Sequence, residues 1–344
     1  MYHRPRGGWP AVAVIATHYN VDFSEHYLAE LCANRGVGFL GWNTRFRGAE
    51  QYFLLDHAVA EIAVGVRWLR EVAGAETIVL LGNSGGGSLM AAYQSQSIEP
   101  NLKPEYGRSE IVASAIDVPG ADLYVSLAAH PGRPEVLTNW MDPSVGNEGD
   151  SLSVIESLDP FAEGREMPFS EDFVSKYREA QRDRNYRITK WVRDEIDLMA
   201  SAGHHDRLFT TPRLWADLRM IDGSIDPSNR KSPSCYLGDP RRANYGIYGV
   251  GTVSSLRTWL SMWSLNESQC SAAPHLERIN VPSLVIDADG DSGVFPSDTQ
   301  AIVGSLGSKD LTALTISGDH YLRDRENSRD EVADVIVEWI QERS

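Results

Sequence analysis

Cysteine is scarce in this chain: its 344 residues include three, Cys32, Cys235 and Cys270. They lie far apart, form no C-x-x-C pair and are odd in number, which excludes a disulfide framework or a cysteine-rich zinc site. Positive charge is also in short supply. Thirty-two Lys+Arg face 48 Asp+Glu, a net charge of −16, whereas nucleic acid or an anionic membrane surface would call for basic patches. The apolar run Ala11 to Ala16 is too short for a signal-peptide core or a membrane span, and polar His18 and Asn20 follow it. Repeats and low-complexity tracts are missing. These absences predict a soluble, cytoplasmic protein with neither a nucleic-acid nor a membrane partner.

What is present is enough apolar material, 42% of residues, to bury a sizeable core. Apolar runs alternate with amphipathic stretches. Strands are predicted over Ala11–Ala16, Val37–Trp42, Thr77–Leu81 and Ala121–Leu127, and helices over His26–Arg35, Leu54–Val72 and Ser88–Gln96. Continuous apolar strands alternating with helices imply a mostly parallel, doubly wound α/β sheet covered on both faces. The pattern then breaks. Residues 129–275 are richer in Trp, Tyr, Arg and Asp, helical where periodic (Tyr177–Ala200 most clearly), and loop-like over 227–251. Strands resume at Val281–Ile286 and Leu311–Ile316, and Glu331–Glu342 closes the chain as a helix. We therefore expect a core of 1–128 and 276–344, interrupted after the fourth predicted strand by a mainly helical insertion, 129–275.

The motif that carries chemistry is Gly82-Asn83-Ser84-Gly85-Gly86. It matches G-x-S-x-G, directly follows an apolar strand and opens a helix. A serine on such a turn is forced into strained backbone angles, with its hydroxyl exposed above the carboxyl edge of the sheet. The phosphate-cradle reading fails because no Gly-Lys-Ser/Thr follows. A serine nucleophile needs a base, and the base an orienting acid, each placed just after a late strand. His320, in Ser317-Gly318-Asp319-His320, is the only histidine beyond residue 275. Asp287, Asp289 and Asp291 share the loop after Ile286. A carboxylate several residues past the strand end can reach across to a histidine loop, which favours Asp291, with Asp289 its main rival. Asp287, Asp289, Asp291 and Asp298 also fall at EF-hand positions. However, Ser292 stands where glycine is needed, Asp298 where glutamate is usual, and a strand precedes the loop instead of a helix. No metal site is expected.

Gly82–Gly86, Asp291 and Gly318–His320 together resemble the α/β-hydrolase superfamily. The resemblance covers 11–128 and 276–344 and implies the triad Ser84, Asp291 and His320, with the insertion standing where that family usually places its cap. It also implies an oxyanion hole of backbone amides. One is from Gly85; the other is from Tyr19 or Asn20, because the family's His-Gly at the first strand's end is here His18-Tyr19. Ten residues precede that strand, so the family's two opening antiparallel strands are expected to be absent or the start to be truncated. The implied activity is hydrolysis of a carboxylic ester or lactone through an acyl-enzyme, with no cofactor. Carbon–carbon bond hydrolysis, acyl transfer and non-catalytic binding are the alternatives. An aspartate nucleophile, as in dehalogenases and epoxide hydrolases, is disfavoured by Ser84.

Three further residues are candidates for the substrate pocket. His130 lies just past a strand's carboxyl end, and Trp259 and Trp263 share one helical face. The aromatic-rich insertion favours a small molecule with an apolar or aromatic acyl group. Oligomeric state has no sequence signature here.

Overall fold

The computed structural model describes residues 1–109, 111–112 and 116–344. Its first half contains β1 (Tyr2–His3), β2 (Val12–Ala16), α1 (Ala29–Asn34), β3 (Gly38–Gly41), α2 (Leu55–Glu71), β4 (Thr77–Asn83), α3 (Gly86–Ile98) and β5 (Leu123–Leu127). Between β5 and the next strand of the main sheet come α4 (Arg133–Trp140), α5 (Glu171–Ser201), β6 (Leu208–Thr210), α6 (Leu218–Ile221), α7 (Pro240–Asn244), β7 (Val253–Ser255), α8 (Leu256–Thr258) and α9 (Ala273–Leu276). The chain ends with β8 (Ser283–Ala288), α10 (Pro296–Ser305), β9 (Leu311–Ile316) and α11 (Ser328–Gln341).

Among the described residues the main sheet has seven strands in the order β1-β3-β2-β4-β5-β8-β9, parallel except for β1. Side chains alternate between its faces with the period of two that a strand imposes. On β2, Ala13 and Ile15 pack with α2 and α3, while Val14 and Ala16 pack with α1 and α11. On β4, Ile78 and Leu80 take the first face, Val79 and Leu81 the second. Burial on both faces is why these strands read as unbroken apolar runs. The strands point their carboxyl ends to one edge, where the turns after β4, β5, β8 and β9 gather.

One expectation about the start of the sheet is corrected. An antiparallel edge strand is present: Tyr2 pairs with Leu40 and His3 with Phe39. Two residues are too few to show periodicity. This strand is held by rings, with Tyr2 stacked on Trp9 at 5.6 Å and edge-on to Trp68 at 5.2 Å.

The stretch from 129 to 275 is helical in part, with a two-stranded antiparallel sheet (β6 and β7) and long irregular segments. Its 31-residue helix α5 begins earlier than the apolar spacing indicates. Ser170 caps it by accepting from the Phe173 N–H, and Glu171 and Asp172 occupy its first turn, where the helix dipole favours negative charge. Buried ion pairs hold this stretch together, Arg213 to Asp142 at 2.5 Å and Arg219 to Asp217 at 2.9 Å among them. No helix among the described residues is long and apolar enough to cross a membrane.

Candidate active site

Ser84 sits on the turn between β4 and α3 with φ of +55°, a left-handed backbone that non-glycine residues rarely adopt. The turn can be this tight because its neighbours are small. A Cβ on Gly82 would lie 2.6 Å from Gly87 Cα, and one on Gly87 would lie 2.5 Å from the Ala129 side chain. The Ser84 N–H donates to Leu127 O, and its carbonyl accepts from the His130 N–H, both at 3.1 Å. The turn is thus fastened to the end of β5.

His320, on the loop after β9, places Nε2 3.0 Å from Ser84 Oγ and Nδ1 2.6 Å from Asp291 Oδ2. Asp291 is buried, and its other oxygen, Oδ1, accepts from the N–H groups of Gly293 and Val294 at 2.8 and 3.0 Å. These bonds fix the carboxylate while leaving Oδ2 for the imidazole. The chain Ser84–His320–Asp291 is the geometry in which a histidine can take a hydroxyl proton while a carboxylate holds its far nitrogen.

Asp289 faces elsewhere. Its Oδ2 accepts from Asn229 Nδ2 at 2.7 Å and its Oδ1 from the Gly318 N–H at 3.2 Å, so it joins two loops. Asp298 pairs with Arg219 at 2.9 Å. The carboxylates spaced like an EF-hand therefore diverge to separate partners. Among the described residues no cluster of three or more His, Cys, Asp or Glu side chains could hold a metal ion.

Beside Ser84 lie the Gly85 amide and the two amides left open by the sequence. His18 Nδ1 is 3.1 Å from Asn20 Oδ1, which can only accept, so that nitrogen carries the proton and is not free to accept the Asn20 N–H 3.4 Å away. Among the described residues the N–H groups of Tyr19 and Gly85 have no hydrogen-bond partner. His18 and Arg133 cover Gly85: a Cβ there would lie 2.7 Å from His18 Nε2 and 2.9 Å from Arg133 Nη1. Burial first, and the Arg133 charge second, push the His18 pKa down to about 3, so its ring is neutral. Arg133 is itself buried. It donates to Glu50 Oε1 at 3.0 Å, and its guanidinium lies over the rings of Tyr19 and Trp263.

Ser84 opens into a cavity of about 490 Å³ whose wall includes His130, Trp140, Trp215, Tyr236, Val250 and Tyr321. His130 is thus on the wall. Burial, reinforced by the charges of His320 and Arg133, holds its imidazole well below the usual pKa. Trp259 and Trp263 are not on the wall, which corrects the expectation from their helical spacing. Both are fully buried in a π-helical turn after α8, Trp259 donating Nε1 to Thr189 Oγ1 at 2.9 Å. Spacing on one face signals burial but not what is buried against it. Tyr236, Trp140, Trp215 and Arg133 were not singled out from the sequence. Arg133 had a usable signal, since it follows His130-Pro131-Gly132 at the carboxyl end of β5; the loop around Tyr236 has none.

No protein-family model matches the sequence, and no curated protein matches it. Solved structures do. DcsB in complex with its substrate analogue aligns with a TM-score of 0.51 at 12% identity, over 100% of this chain and 94% of that one. Est1E from Butyrivibrio proteoclasticus aligns at 0.50 and 11%, over 99% and 92%. The same protein with ferulic acid bound aligns at 0.50 and 10%, over 100% and 94%. Together with the parallel sheet order and the strand–turn–helix around Ser84, these full-length matches show that the chain has the α/β-hydrolase fold.

Proposed function

We propose that this protein is a serine hydrolase that cleaves a carboxylic ester or lactone through an acyl-enzyme on Ser84. The observation that carries the proposal is the hydrogen-bonded chain from Ser84 Oγ through the two nitrogens of His320 to Asp291. In this reading His320 Nε2 takes the Ser84 proton as Oγ attacks the acyl carbon, and Asp291 holds the imidazolium so formed. His320 then returns the proton to the leaving oxygen. Water, activated by the same nitrogen, releases the acid and restores Ser84.

The negative charge that develops on the acyl oxygen needs donors that have no other bond to break. The Gly85 amide meets that condition, and so do those of Tyr19 and Asn20, the latter because His18 Nδ1 is engaged with Asn20 Oδ1; either of the two can pair with Gly85 in the oxyanion hole. Each such donor lowers the barrier by about 3 kcal/mol in known serine hydrolases. The buried guanidinium of Arg133 beside Gly85 adds positive potential at the same place.

The insertion, 129–275, acts in this proposal as a cap that selects the substrate. It supplies Trp140, Trp215, Tyr236 and Val250 to the cavity wall, a lining suited to an apolar or aromatic acyl group. The test is labelling by a small fluorophosphonate, read by mass spectrometry, beside a panel of p-nitrophenyl esters, aryl esters and lactones. Labelling on Ser84, lost in Ser84→Ala, together with turnover of at least one ester class is expected. An unlabelled wild-type chain would overturn the proposal.

A further inference from the structure

The loop that bears Asp291 is gripped from outside the core by residues 217–236 of the insertion. Arg219 bridges the two parts, reaching Asp217 Oδ2 and Asp298 Oδ1 at 2.9 Å each, with its guanidinium 4.2 Å from the Phe295 ring. Asn229 donates its N–H to Asp289 O at 2.9 Å and its amide to Asp289 Oδ2 at 2.7 Å. Ser297 donates Oγ–H to Asp226 at 2.6 Å. The strap ends in a tight hairpin, where Cys235 and Gly238 exchange both backbone hydrogen bonds at 2.8 and 2.9 Å. Cys235 is buried in a cluster with Trp140, Trp215 and Phe295, so the residue at the hairpin's tip has little freedom.

That residue is Tyr236. Its hydroxyl lies 3.3 Å from Asp291 Oδ1 and 3.0 Å from His320 Nδ1. Its ring packs on the imidazole with centroids 4.4 Å apart and planes 33° apart. A carboxylate can only accept, so the hydroxyl donates to Oδ1 and its oxygen faces the Nδ1–H that Oδ2 already holds. The core leaves room for this ring: any side chain at Gly293, two residues past Asp291, would overlap it.

We propose that Tyr236 is a positioning residue for the acid–base pair. Its hydroxyl fixes Asp291, its ring fixes the plane of His320, and Nε2 is thereby aimed at Ser84. The insertion then completes the core's machinery as well as lining the cavity. A ring that merely filled space would make the hydroxyl dispensable. The inference rests on the hydrolase reading of Ser84, His320 and Asp291.

The experiment is Tyr236→Phe in the full chain, which removes one atom and leaves the packing. Five quantities are read: kcat and KM on an ester that the wild type turns over, the fluorophosphonate labelling rate, Tm, and the far-downfield proton resonance of His320 Nδ1–H, identified by its loss in His320→Ala. Loss of a hydrogen bond to a charged group should lower kcat and the labelling rate together, on the order of tenfold. KM should be unchanged, Tm should fall by no more than a few degrees, and the resonance should move. Wild-type rates in Tyr236→Phe would overturn the inference. So would a fall in kcat with the resonance unmoved, because the loss would then arise elsewhere in the cavity. Both results are distinct from a wild-type chain that fails to label at Ser84, which would overturn the hydrolase reading and this inference with it.

Discussion

The sheet and the stretch inserted into it bury different kinds of group. Around β2, β4, β5 and β8 the buried layers are aliphatic and aromatic, and each strand sends alternate residues to one layer or the other. Between 129 and 275 the buried residues include Asp142, Arg184, Arg213, Asp217, Arg219 and Arg230. Arg213 and Asp142 are almost wholly hidden from solvent, 1% and 0% exposed at their side chains. Apolar layers are non-directional and tolerate repacking; buried ion pairs must be complete to be tolerated at all. The core should therefore tolerate loss of the Ser84 hydroxyl without losing its fold, whereas the insertion should be sensitive to loss of a single charge.

The largest expected effect breaks that comparison on the side of chemistry. Ser84→Ala should lower kcat by about 10⁴ to 10⁶ while leaving Tm unchanged, since the hydroxyl packs no core. His320→Ala should match it, and the double variant should be little worse, because residues of such a chain act as a unit. A Ser84→Ala protein that keeps a large part of its activity would remove the nucleophile assignment.

Next in size is a change on the insertion's side. Asp142→Ala strips the counter-charge from Arg213 and also the acceptor of Asn244 Nδ2 at 2.7 Å. Removing one partner of a buried pair costs about 3 to 5 kcal/mol. Tm should fall steeply, while the fraction still folded should label at Ser84. An unchanged Tm would show that the insertion does not depend on its ion pairs.

The same contrast explains what was legible in the sequence. Strands buried on both faces announce themselves as apolar runs, and β9 spans the predicted Leu311–Ile316. Residues placed by strand ends, Ser84, Asp291 and His320, come together because the fold gathers strand ends at one edge. Tyr236 does not show in the sequence. It is 55 residues from Asp291 and 84 from His320, in a loop dense in Pro, Gly and Ser that has no period to read. Ion pairs such as Arg219 with Asp298 link residues 79 apart and leave no local pattern either.

Acid should weaken the core in a way that apolar burial alone would not. His26 is buried, donating Nε2–H to Asn83 Oδ1 at 3.1 Å and accepting at Nδ1 from the Leu28 N–H at 3.3 Å. Burial is the first cause that pushes its pKa down to about 4, as it pushes His18 to about 3. The unfolded values are near 6.5. Between about pH 4 and 6.5 the unfolded chain therefore binds protons that the native state refuses, so stability rises with pH and is lost as pH falls through this window. Each such histidine contributes at most ~1.4 kcal/mol per pH unit. Tm should decline from pH 6.5 toward pH 4, and less steeply in His26→Gln, whose amide can still reach Asn83. Parallel declines in the two proteins would show that His26 is already protonated in the fold.

The smallest expected effect separates wall from core among the tryptophans. Trp140 lines the cavity, stacked on Trp215 at 4.7 Å. Trp259 lies under α5 with its indole N–H bonded to Thr189 and its ring 5.7 Å from Phe209. Phenylalanine keeps an apolar ring at either position but shortens it. At 140 the change alters the shape that an acyl group meets; missing contact in an apolar pocket is worth about 1 to 3 kcal/mol, so the order of preference across the ester panel should change. At 259 it removes a buried hydrogen bond worth about 1 kcal/mol and leaves the Thr189 hydroxyl with its Ser264 contact at 2.9 Å. Trp259→Phe should then lower Tm by a few degrees, all esters keeping their rank. The labelling rate of Ser84 by a small fluorophosphonate, which does not fill the acyl pocket, should be the same in both variants. If Trp259→Phe reorders the esters and Trp140→Phe does not, the acyl group lies against α5 rather than α4, and the assigned wall of the cavity is wrong.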